Sequence, residues 1–142
     1  MPRILVCLVS GLLLTVACPP AAVAQARLNP EELAGTWTVT FLDNTATFNL
    51  GAYDSASKQG RFTSEGSLGQ AFGGPNPLNA TKWRIEGEDL VFFQISRRLQ
   101  DQIILAGKVE YEKDRKFQMT LRRGFWVESN GALRGKVITF ER

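Results

Sequence analysis

From Gly35 onward, apolar side chains recur at every second position. In Thr36-Trp37-Thr38-Val39-Thr40-Phe41, Trp37, Val39 and Phe41 fall on one face and three threonines on the other, the pattern of a strand with one buried side. Residues 45–52 repeat it with Ala46, Phe48 and Leu50, and 61–65 do so more weakly around Phe62. Residues 82–86 alternate again and turn through Gly87-Glu88-Asp89 into 90–95. In 103–112, Leu105, Val109 and Tyr111 oppose Lys108, Glu110 and Glu112; in 116–122, Phe117, Met119 and Leu121 oppose charged and polar residues. Ser129-Asn130-Gly131 predicts a tight hairpin, and 133–140 a last strand. Only Pro30-Glu31-Glu32-Leu33 invites a helix, with Asn29 as its cap and Pro30 in its first turn. About eight strands joined mostly by short turns, with no crossover suited to parallel pairing, predict an all-β fold. The expected form is an eight-stranded antiparallel up-and-down barrel with a short N-terminal helix or arm, since closure removes exposed edges. A flattened sandwich is the alternative.

The first segment has another character. After Met1-Pro2-Arg3, residues 4–16 are almost unbroken apolar, and Ala22-Val23-Ala24 offers a small-x-small exit. This predicts a bacterial signal peptide over 1–24, an arm over 25–34, a barrel domain over 35–142, and a periplasmic or secreted protein. Thr15-Val16-Ala17-Cys18 is the alternative exit, a lipobox-like sequence; membrane association is expected only if Cys18 is lipidated. Both cysteines, Cys7 and Cys18, fall in the removed segment, so the mature chain holds no disulfide and depends on its core.

Composition narrows the chemistry further. The 142 residues include no histidine, which removes the commonest general base and the common zinc ligand. Without mature cysteine, Cys–His dyads and soft-metal, iron–sulfur and ordinary haem ligation go too. Seventeen Lys and Arg against fourteen Asp and Glu, a formal +3, is no signature of nucleic-acid binding. Glu86, Glu88 and Asp89 cluster at one turn, without the opposed placement that acid–base catalysis across a substrate needs. The expectation is a protein with no catalytic residues, no metal and no cofactor.

Gly35-Thr36-Trp37 at the start of the first strand resembles the Gly-x-Trp opening of lipocalins and related calycin barrels. That likeness implies a tryptophan plugging one barrel end with an arginine of the last strand across it; Arg134 and Arg142 both qualify. The stretch 27–37, and more weakly 83–92, is similar to bacterial periplasmic inhibitors of secreted alkaline metalloproteases. Those are also eight-stranded barrels, and they act through an N-terminal arm; they usually carry a disulfide, which this mature chain cannot form.

The inward set mixes bulky residues with small ones such as Ala46, Ser64, Gly107 and Gly135, a pattern common to filled and ligand-holding barrels. A non-catalytic binding protein for a small hydrophobic or amphipathic ligand is the leading expectation. In it Trp37 is the plug, Phe72 and Leu78 form a lid on the Gly/Pro-rich connection 68–79, and Trp83 and Phe93 line the interior. Arg97, Arg98, Arg122, Arg123, Arg134 and Lys136 would gather at one rim, with Arg98 and Arg122 receiving an anionic group. Phe92 and Trp126 fall off the inward set and suggest a partner surface. The alternative is a protease inhibitor with 25–33 as its arm.

Overall fold

In the computed structural model, residues 28–66, 68, 80–113 and 115–142 are described. The predicted signal peptide with Cys7 and Cys18, the start of the arm, and the lid residues Phe72 and Leu78 lie outside them.

Eight strands close into an antiparallel barrel in strict sequence order: β1 (Gly35–Phe41), β2 (Asn44–Leu50), β3 (Gly60–Gly66), β4 (Lys82–Glu86), β5 (Asp89–Ile95), β6 (Asp101–Lys113), β7 (Lys116–Arg123) and β8 (Val137–Glu141). The seam is the pairing of β1 with β8, Thr38 opposite Glu141 and Thr40 opposite Thr139. The predicted faces hold on β1, β2 and β7. Trp37, Val39, Phe41, Ala46, Phe48, Leu50, Phe117, Met119 and Leu121 are all buried, while the threonines between them face out.

Before the barrel, Pro30–Leu33 forms the short helix α1, and Asn29 Oδ1 accepts from Glu31 N at 3.1 Å. Leu28 and Leu33 are buried, so residues 28–33 pack as a cap.

Three expectations are corrected. The segment after β7 is no tight hairpin: Phe125–Ser129 is a helix, α2, followed by a 3-10 turn at Gly131–Leu133 in which Asn130 Oδ1 caps Ala132 N at 3.2 Å. The last strand therefore begins at Val137, and Leu133 is buried from the turn. Phe92, expected outside, is buried in the main core, whereas Phe93, expected inside, belongs to a small outer cluster with Val91 and Ala106. Leu90 to Phe93 is apolar at every position, so alternation carries no phase there, and β6 bulges opposite Phe92 and Phe93. Trp126 lies in α2, not on a strand, and packs half-buried against the core.

The lumen is filled by rings. Trp37 meets Phe117 edge-on at 4.7 Å between centroids, and Phe117 stacks on Phe140 at 4.3 Å. Phe48 touches Phe140 at 5.8 Å and Phe62 at 5.0 Å, and Phe62 reaches Phe92 at 4.7 Å. Each such pair adds about 0.5–1.5 kcal/mol beyond the area it buries. Of the small positions expected inside, Ala46 and Gly107 are buried, whereas Ser64 and Gly135 are exposed. A Cβ on Gly107 would lie 2.8 Å from Met119 Cγ, and one on Gly60 would lie 2.3 Å from Trp83 Nε1; a large neighbour already occupies each space.

Candidate functional site

The up-and-down path sends successive connections to alternate ends. One end receives the N-terminal cap and the β2–β3, β4–β5 and β6–β7 connections. The other receives β1–β2, β3–β4, β5–β6 and β7–β8.

The capped end is closed by Trp37 and Arg142. The indole Nε1 donates to Leu33 O at 2.8 Å, which fixes α1 across the opening. The Arg142 guanidinium lies 4.1 Å from the ring centroid and donates to the carbonyls of Glu32, at 3.0 Å, and Ala34. Of the two arginines left open by the sequence, Arg142 stacks on Trp37. The stack is worth about 0.5–2 kcal/mol according to its desolvation. Gly35 makes room for it: a Cβ there would sit 2.7 Å from Arg142 Nη2, and the backbone holds φ at +132°. Beside this plug, Glu32, Tyr111, Glu112, Arg115 and Lys116 border an open cleft of about 680 Å³. Burial pushes the Tyr111 phenol above its ordinary value, and the Glu32 charge adds to the rise against an opposing effect of Arg142.

The opposite end differs in composition. Six large hydrophobic residues are substantially exposed among the described residues, and five of them, Leu42, Ile95, Leu99, Phe125 and Val137, sit in its turns or at the adjoining strand and helix termini. Tyr111 alone belongs to the capped end. Leu99 is the extreme, 87% exposed and held at φ +58°, a left-handed conformation that costs an ordinary residue about 1–2 kcal/mol. The turn is nonetheless ordered: Leu99 N donates to Ser96 O at 2.9 Å, Ser96 N to Gln100 O at 2.8 Å, and Gln100 N to Ser96 Oγ at 3.3 Å. Arg97 and Arg98 immediately precede Leu99 on the same turn, exposed and without an ion pair among the described residues. Arg134 and Lys136 reach this end from the last connection.

The predicted rim of six cations therefore divides. Arg97, Arg98, Arg134 and Lys136 belong to the loop end, whereas Arg122 and Arg123 lie on the outer wall. Arg122 Nη1 is 3.1 Å from Glu88 Oε1 and 3.3 Å from Asp89 Oδ1, and Arg123 Nη2 is 2.5 Å from Glu86 Oε2. Arg84 bridges Glu86 and Asp101 and caps the Phe93 ring at 4.3 Å. The three turn carboxylates are thus held by arginines. Partial burial pushes the Glu86 carboxyl up, but the bonds from Arg123 and Arg84 outweigh it and hold the group below its ordinary value.

The predicted ligand residues do not converge. Trp37 plugs one end, and Trp83 is buried with Nε1 donating to Gly51 O at 3.0 Å. Phe93 is outside the lumen, Arg98 is on the loop end, and Arg122 is tied to the wall. Sequence reasoning missed Leu42, Ile95 and Leu99 as a set; all three stand in or beside turns whose place at one end follows only from the closed topology. Among the described residues no group of three or more Cys, Asp or Glu side chains is placed to hold a metal ion, and no helix is long and apolar enough to cross a membrane.

The architecture is an all-β closed eight-stranded up-and-down barrel, compatible with a lipocalin-like build. Comparison with protein-family models matches none, and comparison with curated proteins finds no match.

Proposed function

We propose that the chain is an exported, non-catalytic binding protein whose filled barrel is a scaffold and whose loop end grips a protein partner. The observation that carries this reading is the concentration of exposed large apolar side chains at one end, led by Leu99 on a strained but ordered turn directly after two arginines. Strained backbone that surrounding bonds maintain is a mark of functional positions, and a protruding leucine with an arginine rim suits an apolar recess edged by carboxylates. The inhibitor-like reading falls within this class, with the β5–β6 turn as contact element in place of residues 28–33, which are packed.

A second reading, a small amphipathic ligand inside the barrel, keeps one observation in its favour. The β3–β4 ladder is short, pairing Gly60 with Trp83 and Arg61 with Lys82 and extended by a bond from Phe62 N to Thr81 O, and Ser64, in phase with the buried Phe62, is exposed.

Site-specific crosslinking separates the two. A photoreactive residue at position 99, in cells of the native host, is expected to give a discrete protein adduct that the same probe at position 111 does not. Reversing Arg97 and Arg98 to glutamate should remove that adduct. Equal labelling from both positions, or adducts to lipid only, would refute the proposal, and a stoichiometric small molecule retained in native mass spectrometry would establish the second reading instead.

A further inference from the structure

Most cations along the strands of the barrel wall are balanced. Arg84, Lys108, Lys116, Arg122 and Arg123 each have a carboxylate oxygen within 2.5 to 3.8 Å. Arg61 and Lys82 break the rule. The β3–β4 pairing sets them directly opposite one another, and both point outward because their neighbours Phe62 and Trp83 are buried. Like charges directly opposite on antiparallel strands destabilise the pair. Neither residue makes an ion pair among the described residues, so no direct carboxylate contact there offsets the repulsion.

The ground beside them is concave. A recess of about 470 Å³ is bordered by Gly51, Asp54, Ser57 and Gln59 together with Arg61 and Lys82. The Trp83 indole and the Gly51 carbonyl pack directly beneath Gly60: a Cβ there would lie 2.3 Å from Trp83 Nε1 and 2.8 Å from Gly51 O, so the backbone at this edge of the recess has no side chain of its own. Asp54 at the border is turned onto its own loop, accepting from Ser57 Oγ at 2.8 Å and Ala56 N at 3.0 Å. The Ser57 bond, above all, holds its carboxyl below the ordinary range. Two cations against one carboxylate leave the recess with a net positive charge of one unit.

We infer that Arg61 and Lys82 form a binding site for a small oxyanion, a carboxylate or a phosphate group, seated in this recess. An anion between the two cations turns their repulsion into a pair of attractions, and the guanidinium supplies a forked donor set that fits either oxyanion. The retained Asp54 charge disfavours polyanions and sets a preference for a singly charged group. The recess adjoins the β2–β3 connection at the capped end, so it is separate from the proposed protein-contact end, and the two proposals stand or fall independently.

The test is an NMR titration of the full chain with inorganic phosphate and, separately, with acetate at constant ionic strength, read at the amides of Gly51, Gln59 and Gly60. Saturable shifts confined to these positions are expected, with Arg61→Gln and Lys82→Gln each weakening the apparent affinity at least fivefold. Acetate binding more tightly than phosphate above pH 7 would fit the singly charged preference; phosphate binding more tightly would overturn that preference alone. Thermal stability gives a second readout. Anion should raise the midpoint of the native chain and leave that of the Arg61→Gln, Lys82→Gln double variant unmoved. Shifts that fail to saturate, or that persist in the double variant, would overturn the site.

Discussion

The two ends of this barrel solve the same closure problem in opposite ways. At the capped end, polar and aromatic groups are consumed internally: Trp37 bonds Leu33, Arg142 covers Trp37 and bonds two carbonyls, and α1 is sealed by Leu28 and Leu33. At the loop end, apolar side chains stand in solvent, and four cations have no carboxylate partner among the described residues. One end spends its side chains on stability, and the other holds them in reserve for contact. Exposure alone is a weak guide; what separates the Trp37 plug from the Leu99 turn is whether each group already has a use within the fold.

Substitution should expose this asymmetry. The largest effect is expected at the capped end: Trp37→Ala removes a buried ring that also anchors α1, and should lower stability by about 3–5 kcal/mol in chemical denaturation. A loss below about 1 kcal/mol would mean the plug is ornamental. At the loop end the sign should reverse. Leu99→Asn places a residue that tolerates φ +58° at a solvent-exposed turn, so stability should rise by about 0.5–1 kcal/mol while the position-99 crosslinking contact is lost. If Leu99→Asn destabilised the fold, the leucine would be serving the barrel and the contrast between the ends would dissolve.

The smallest effect concerns acid. Glu86 has a depressed folded value, so its contribution is fully present above its ordinary pKa of 4.5. That contribution is lost as pH falls through the lower folded value. Glu86→Gln should lower stability slightly at neutral pH and flatten the acid limb below pH 4.5, so that the two profiles converge in acid. An identical acid limb in the variant would assign that dependence to other carboxylates.

Period-two patterning made the barrel legible because each well-ordered strand has one wet and one dry face, and the threonine-rich face of β1 announces this directly. The same logic failed where that condition lapses. Leu90-Val91-Phe92-Phe93 is dry on both sides, because an outer cluster beneath Arg84 covers Val91 and Phe93, so the phase of Phe92 could not be read. Phe125-Trp126-Val127 followed by Ser129-Asn130-Gly131 has the composition of a strand and turn, yet tertiary packing of Val127 against the core makes it helical. The choice between Arg134 and Arg142 depended on where β8 begins, which the missed helix displaced. The facing of Arg61 and Lys82 depends on register across the β3–β4 connection, and no local pattern encodes it.

Closure through β1 and β8 carries a consequence for how the chain reaches its native state. Every other neighbour in the sheet is also the next strand in sequence and can zip locally, but this seam joins residues about a hundred positions apart, the kind of non-local pairing that slows folding. Until Val137–Glu141 arrives, β7 and the threonine- and aromatic-rich β1 remain open edges, ready templates for pairing between molecules. A nascent chain is therefore most vulnerable to aggregation just before its final strand becomes available, and a factor that shields β1 during that interval would raise the yield of folded protein.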